Sequence, residues 1–210
     1  MNLQNPKKFK MLVDQAHEVA LHVLRPVSRK YDKAEHAYPK ELDMLASLVD
    51  GMNEGGEGMN AGAAGAGNRS ESDNEGNRNG TNMSTALSII EMCYGDTGLL
   101  LSMPRQGLGN SAIAAVANDE QLERFKGTWA AMAITESGCG SDSAAIRTTA
   151  IKDGDDYILN GEKIFVTSGE RADSVVVWAT LDKKLGRAAI KSFVVPKGTA
   201  GMKVERLEHK

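Results

Sequence analysis

The chain has 210 residues, 41% hydrophobic and 25% charged, with a formal net charge of −3. That describes a globular protein of one large or two small domains, with no basic face to hold nucleic acid. No apolar run reaches the length of a membrane span, and two cysteines, Cys93 and Cys139, in segments of different character, suggest neither a disulfide framework nor a zinc site. Residues 1–11 are polar, carry three lysines and lack the apolar core of a secretory signal, so a cytoplasmic location is expected.

From Pro6 to about Lys30, apolar residues recur at Phe9, Leu12, Val13, Ala16, Val19, Ala20, Val23, Leu24 and Val27, the three-four spacing of an amphipathic helix. Pro26 is expected to kink or end it near Leu24. His17 and His22 stand five apart, so they do not form a helical metal pair and read as surface or interface residues. A second helix is expected over 39–49, with Pro39 in its first turn and Leu42, Leu45 and Leu48 facing inward. Residues 51–80 are crowded with Gly, Asn, Glu, Ala and Ser, and cannot bury enough apolar surface to offset their ordering entropy. They read as a flexible insertion. The run Gly62-Ala63-Ala64-Gly65-Ala66-Gly67 has no preceding strand, so it does not count as a dinucleotide loop.

Helical spacing resumes at Met83, Leu87, Ile90, Cys93 and Tyr94 and ends near Gly95. Residues 107–118 read as a small-residue helix packed closely on its neighbours. Ser111, Ala112, Ala114 and Ala115 could equally wall a narrow apolar channel. Residues 119–125 open with an acidic cap position and suit a short helix. After Gly127 the period switches from 3.6 to 2. Strands are expected over 130–135, 145–151, 157–159, 163–167, 174–180, 190–195 and 202–205. Asn160-Gly161 is a strong hairpin signal between two of them. The expected fold is α+β: a helical domain over 1–127 containing the 51–80 insertion, then an antiparallel β-barrel or sandwich domain over 128–210.

One stretch joins the two halves: Met132-Ala133-Ile134-Thr135-Glu136-Ser137-Gly138-Cys139-Gly140-Ser141-Asp142. A buried strand runs into a loop whose two glycines permit close backbone approach, with hydroxyls and free N–H groups suited to phosphate or the edge of a heterocycle. Asn160-Gly161-Glu162-Lys163-Ile164-Phe165-Val166-Thr167 follows it across a hairpin. Together with Tyr94-Gly95-Asp96-Thr97-Gly98-Leu99 and Gly107-Leu108-Gly109, this order resembles the acyl-CoA dehydrogenase family over nearly all of the chain outside 51–80.

The resemblance implies FAD as cofactor. Met132, Ala133, Ile134, Thr135, Gly140 and Ser141 would line it, with Thr135 on the ring edge. Phe165 would stand as an aromatic plate against the ring face, where the family often has Trp, losing an indole donor. Val166 would accompany it, and Thr167 would donate toward the reactive nitrogen. Ser141 and Thr180 would touch the CoA part of the substrate. Ser137 stands where proline is common, a change expected to loosen the turn without abolishing it. The implied reaction is α,β-dehydrogenation of an acyl-CoA thioester to a trans-2-enoyl-CoA in fatty-acid β-oxidation, with an electron-transfer flavoprotein as acceptor and a homo-oligomer, dimer or tetramer, as the full-length form.

The family's carboxy-terminal helical bundle carries the catalytic base, and the matched motifs do not include it. The catalytic residue is therefore unassigned here, since Glu136 is implied to be loop scaffold, and the isolated 210-residue chain is expected to be inactive alone. A non-catalytic flavin- or acyl-CoA-binding or scaffold subunit, or an acyl-CoA oxidase-like relative, are the alternative readings.

Overall fold

The computed structural model describes residues 7–54, 81–105 and 108–209. Its amino-terminal helical run does not stop near Leu24. A 3-10 turn (Lys7–Phe9) leads into α1 (Lys10–Val19), a π-helical turn covers Ala20–Leu24, and α2 spans Arg25–Lys33. In the π turn the Arg25 N–H reaches back to the carbonyl of Ala20. This one-residue widening just before Pro26 makes room for its ring and for its missing donor, so the helix bends its ladder rather than ending. The same turn receives α4 (Thr81–Gly95) at very close range. A Cβ on Gly95 would lie 2.7 Å from the Ala20 oxygen and 2.8 Å from the Leu24 Cβ.

Between them, α3 (Glu41–Glu54) begins after Pro39 and passes its expected end at Val49. Residues 51–54 are therefore helical, and the remainder of the expected insertion, 55–80, lies outside the described residues. Buried Leu24, Leu42, Leu45, Met92, Leu99 and Met103 form one apolar cluster with Ala16 and Ala46. His17 crosses from α1 to α4, its Nδ1 2.8 Å from Glu91 Oε2 and its ring stacked on Tyr94. Three short helices follow: α5 (Thr97–Leu101), α6 (Leu108–Val116) and α7 (Asp119–Arg124). Asn118, not Asp119, caps α7, through a capping box in which its side chain accepts from the Gln121 N–H and Gln121 returns the bond. Among the described residues no helix is long and apolar enough to cross a membrane.

The second half forms one sheet from β1 (Ala130–Ala133), β2 (Thr149–Asp153), β3 (Asp156–Asn160), β4 (Ser174–Thr180) and β5 (Ile190–Pro196). The sheet is mixed, which corrects the antiparallel expectation. The hairpins β2–β3 and β4–β5 are antiparallel, but β1 and β2 both pair with β4 in parallel. Long connections, 134–173 and 154–173, give the chain the length that parallel crossovers need. A strand has two edges, and β5 occupies one edge of β4 along all seven residues. The other edge is shared end to end: β1 holds positions Ser174 to Val177, and β2 takes over at Thr180. The loop after β1 sits at that break.

Two further expectations fail. Residues 163–167 and 202–205 are not strands. In the first, Phe165 takes φ +56°, which no ladder permits, and in the second, Met202 instead packs onto the apolar cluster around Trp129. The strand expected from 145 begins only at Thr149, because Ser143–Ala145 turn as a 3-10 helix.

The small-residue helix α6 does pack closely. A Cβ on Gly109 would fall 2.3 Å from the carbonyl oxygens of both Ala130 and Ala131. Asn110 locks the contact, donating to the Thr128 carbonyl at 2.6 Å and accepting from the Ala130 N–H at 2.9 Å. Ile113 and Ala112 lie against Ala130 and Val176, so this face of the helix is spent on the sheet.

Candidate functional site

Strand β1 ends at Ala133, whose side chain, like that of Ala131, faces the cluster of Trp129, Ala172 and Val175. The chain then turns tightly. The Glu136 N–H donates to the Cys139 carbonyl at 3.0 Å and the Cys139 N–H to the Glu136 carbonyl at 3.1 Å. Ser137 and Gly138 sit at the exposed tip of this turn, which closes without proline. Gly140 and Ser141 follow, both exposed.

Glu136 points inward and is only 8% exposed. Its Oε1 accepts from Lys163 Nζ at 2.8 Å, from the Thr148 hydroxyl at 2.6 Å and from the Thr148 N–H at 2.9 Å. Its Oε2 accepts from the Arg147 N–H at 2.7 Å. Burial pushes this carboxyl up, but the Lys163 ammonium and the Thr148 and Arg147 donors outweigh it and hold the group at about 2. A carboxylate so placed is a staple between the loop after β1 and the start of β2. It is a poor proton acceptor.

Lys163 binds a second acceptor, the Ile134 carbonyl, at 3.0 Å, and the next residue donates its Ile164 N–H to the Thr135 carbonyl at 2.9 Å. The structure thus brings Ile134 and Thr135 against the segment carrying Phe165, Val166 and Thr167. Val166 packs onto the Trp129 cluster, and its carbonyl accepts from the Gly169 N–H at 3.0 Å. Phe165 is instead 69% exposed, and it and Ser168 hold left-handed backbone, φ +56° and +59°. For non-glycine residues that conformation costs on the order of 1 kcal/mol each, and it persists only where the surroundings dictate it. Here they do: the Ser168 carbonyl accepts from the N–H groups of both Arg171 and Ala172.

Thr180 lies apart from these groups, on β4 beside Thr148, whose carbonyl accepts its N–H at 2.9 Å. It is 3% exposed and its hydroxyl finds no partner. Ser174 Oγ and Trp178 Nε1, at even positions of the same strand and so on the same face, are also buried without partners. Such atoms represent unspent hydrogen-bonding capacity.

Arg171 is a residue that sequence pattern did not single out. Its guanidinium lies 5.1 Å from the Trp129 ring centroid and 5.3 Å from that of Tyr38, and donates to the Ser102 carbonyl and, at 3.3 Å, to Ser168 Oγ. Burial lowers its pKa against the opposing pull of Tyr38, Asp43 and Glu170. Its partners Tyr38 and Ser102 are 133 and 69 positions away, so no local signal could have found it.

The groove lined by Lys10, Val13, Asp14, His17, Glu18 and Glu91 lies between α1 and α4 and shares no residue with this site. The exposed grouping of Glu35, His36 and His209, at the end of α2, is equally separate.

An exposed aromatic plate, a threonine with uncommitted donors and a glycine-rich turn converge where two chain segments are bonded together. Residues 131–210 match the family model "Acyl-CoA dehydrogenase, middle domain". Cyclohex-1-ene-1-carbonyl-CoA dehydrogenase of Syntrophus aciditrophicus is 30% identical over 205 residues, covering 92% of this chain and 44% of the relative. Among solved structures, butyryl-CoA dehydrogenase of Megasphaera elsdenii superposes with a TM-score of 0.72 at 25% identity, over 96% of this chain and 51% of that one. A chain from work on the electron transferring flavoprotein of Acidaminococcus fermentans, directed at flavin-based electron bifurcation, gives 0.77 at 28% identity, over 100% of this chain and 53% of that one. The chain spans about half the length of the relatives it matches. Its helical and mixed-sheet architecture, its two bonded motifs and these matches place it in the acyl-CoA dehydrogenase family.

Proposed function

We propose that this chain forms the flavin-binding wall of an acyl-CoA dehydrogenase-type active site, with FAD as cofactor and an acyl-CoA thioester of the β-oxidation type as substrate, oxidised to a trans-2-enoyl-CoA. The observation that carries this reading is the bonded junction of Ile134-Thr135 with Lys163-Ile164, which sets Thr135 beside the exposed Phe165. Bound FAD supplies the two-electron acceptor for the hydrogen that leaves the substrate β-carbon.

The chain's own residues bind and orient. Met132 and Ile134 form the floor, Ala133 contributes backbone alone because its side chain faces the Trp129 cluster, and Thr135 offers its hydroxyl and N–H to the ring edge. Phe165 covers one ring face with Val166 behind it, and Thr167 donates from the far end of the same turn. Gly140 and Ser141 present an exposed backbone and hydroxyl to phosphate or to the CoA portion. Thr180, expected as a second contact to that portion, keeps its hydroxyl buried on β4 and is left out of this wall.

Glu136, the buried carboxylate of this junction, is committed to four hydrogen bonds with Lys163, Thr148 and Arg147 and is not the acceptor for the substrate α-proton, which in this reading comes from outside the described residues. An electron-transfer flavoprotein is the electron acceptor in this reading. Exposed Met44, Ile90, Leu101, Leu108 and Val116 supply apolar area for a further domain or a second copy. A cytoplasmic location belongs to the same reading.

Protein containing this chain is expected to take up FAD and turn yellow, and an acyl-CoA is expected to bleach the visible flavin absorbance in the absence of oxygen. A flavin-loaded preparation that no acyl-CoA bleaches overturns the dehydrogenation reading.

A further inference from the structure

We propose that Lys163 and Glu136 act as a positioning clamp for the flavin, an inference that rests on the reading above. Both side chains are nearly out of solvent, 7% exposed for Lys163 and 8% for Glu136. A buried ion pair is not a stability device by default, because the desolvation of both charges cancels much of their attraction. Its placement indicates another task.

Lys163 Nζ divides its donors between Glu136 Oε1 and the Ile134 carbonyl, and the Ile164 N–H takes the Thr135 carbonyl. Both carbonyls of the Ile134-Thr135 segment are thereby drawn toward residues 163–164. A trans peptide sets its C=O and N–H on opposite sides, and none of the peptide bonds here is cis. The Ile134 carbonyl and the Thr135 N–H share one peptide. Fixing that carbonyl on Lys163 therefore turns the Thr135 N–H to the opposite side, away from the clamp.

The same lysine anchors the plate. Phe165 lies two residues on, in left-handed backbone, with the bonded Ile164 between them. One ammonium thus sets the ring-edge donor and the ring-face aromatic together. Glu136 makes this possible in two ways. It neutralises the ammonium, so the junction presents a donor without a net charge. It is itself held rigid by Thr148 and Arg147. Lys163 and Glu136 are positioning residues: they act through Thr135 and Phe165.

The test compares wild-type protein with K163M, E136Q/K163M and K163R by three readouts: thermal unfolding without flavin, FAD affinity by quenching of flavin fluorescence, and visible circular dichroism of the bound flavin. K163M is expected to unfold at lower temperature and to bind FAD at least tenfold more weakly. The double variant buries no unpaired charge and is expected to regain most of the unfolding temperature. It keeps the tenfold loss of affinity and a weakened visible dichroism, which a merely structural pair would not leave behind. K163R, which retains a cationic donor, is expected to bind FAD more tightly than the double variant. A folded double variant with wild-type affinity and dichroism overturns the clamp alone. A wild-type protein that takes up no FAD overturns the flavin reading and the clamp with it.

Discussion

The two halves of the molecule are held by different forces. The helical half is built on aliphatic volume: Leu24, Leu42 and Leu45 interlock with Met92, Leu99 and Met103 across α1 to α5. The sheet half has a thin core of small residues, Ala130, Ala131, Ala133, Ala172, Val175 and Val176, beside the rings of Trp129 and Phe125. What it lacks in volume it makes up in directed polar bonds. Glu136 and Lys163 bind the site loops, Asn110 ties α6 to β1, and Asp173 Oδ2 accepts from the Trp129 N–H at 2.9 Å. Apolar packing tolerates exchange among residues of similar volume, whereas a hydrogen-bonded ion pair does not tolerate loss of one partner. The site is fixed where the core is weakest in volume and strongest in geometry.

The sharpest way to break this comparison is to unpair Glu136. Lys163→Met leaves a buried carboxylate without its counter-charge, held only by the Thr148 and Arg147 donors, and is expected to cost about 3–5 kcal/mol in urea unfolding at neutral pH. Acid gives the same pair a signature. The folded-state pKa of Glu136 is depressed to about 2, so its contribution is present above the unfolded value near ~4.3 and is lost as pH falls from there toward ~2. The gap in stability between wild type and Glu136→Gln should therefore close over that window; a gap unchanged from neutral pH to pH ~2 would contradict the assignment of this carboxylate.

In the helical half, Leu24→Ala removes a side chain of 0% exposure and is expected to cost about 2–5 kcal/mol, while Leu24→Met should cost less than about 1.5. No comparable rescue by volume is expected at Lys163. Gly109→Ala tests the seam between the halves. Its new Cβ would fall 2.3 Å from two β1 carbonyls, which overpacks α6 against β1 by about 1–3 kcal/mol despite the better helix propensity of alanine. The smallest effect is expected at Arg171→Lys, about 1 kcal/mol, from loss of the planar contact to Trp129 and Tyr38. Because that residue touches both halves, heating should separate them more readily in the variant, read as a broader thermal transition.

The helices were legible because each writes its period and punctuation locally: the stripe from Leu12 to Val27, Pro39 before α3, the small residues of α6. Pro26 marked a disturbance near Leu24 but not its form: the helix continues through a π turn that lies against Gly95, some 70 residues away. The strands β1, β3, β4 and β5 were legible from alternation and from the turn residues between them, but their partners were not. Parallel pairing of β1 and β2 along one edge of β4 depends on how the long connections fold back, and alternation carries no information on direction.

Residues 163–167 show the limit at the site itself. Their apolar alternation reads as a strand, yet the segment spends its hydrogen bonds on Ile134 and Thr135 and on its own turn, and Phe165 adopts positive φ. By itself the sequence determined the α-then-β order, the glycine-rich turn and the pairing of two motifs as a family resemblance, because local composition and spacing specify these. Only the tertiary structure decided that Glu136 is a locked staple, that Lys163 joins the two motifs through the Ile134 carbonyl, and that Arg171 pins one half to the other. Those roles rest on contacts between residues 11 to 133 positions apart, and burial and hydrogen-bond geometry exist only once such residues have met.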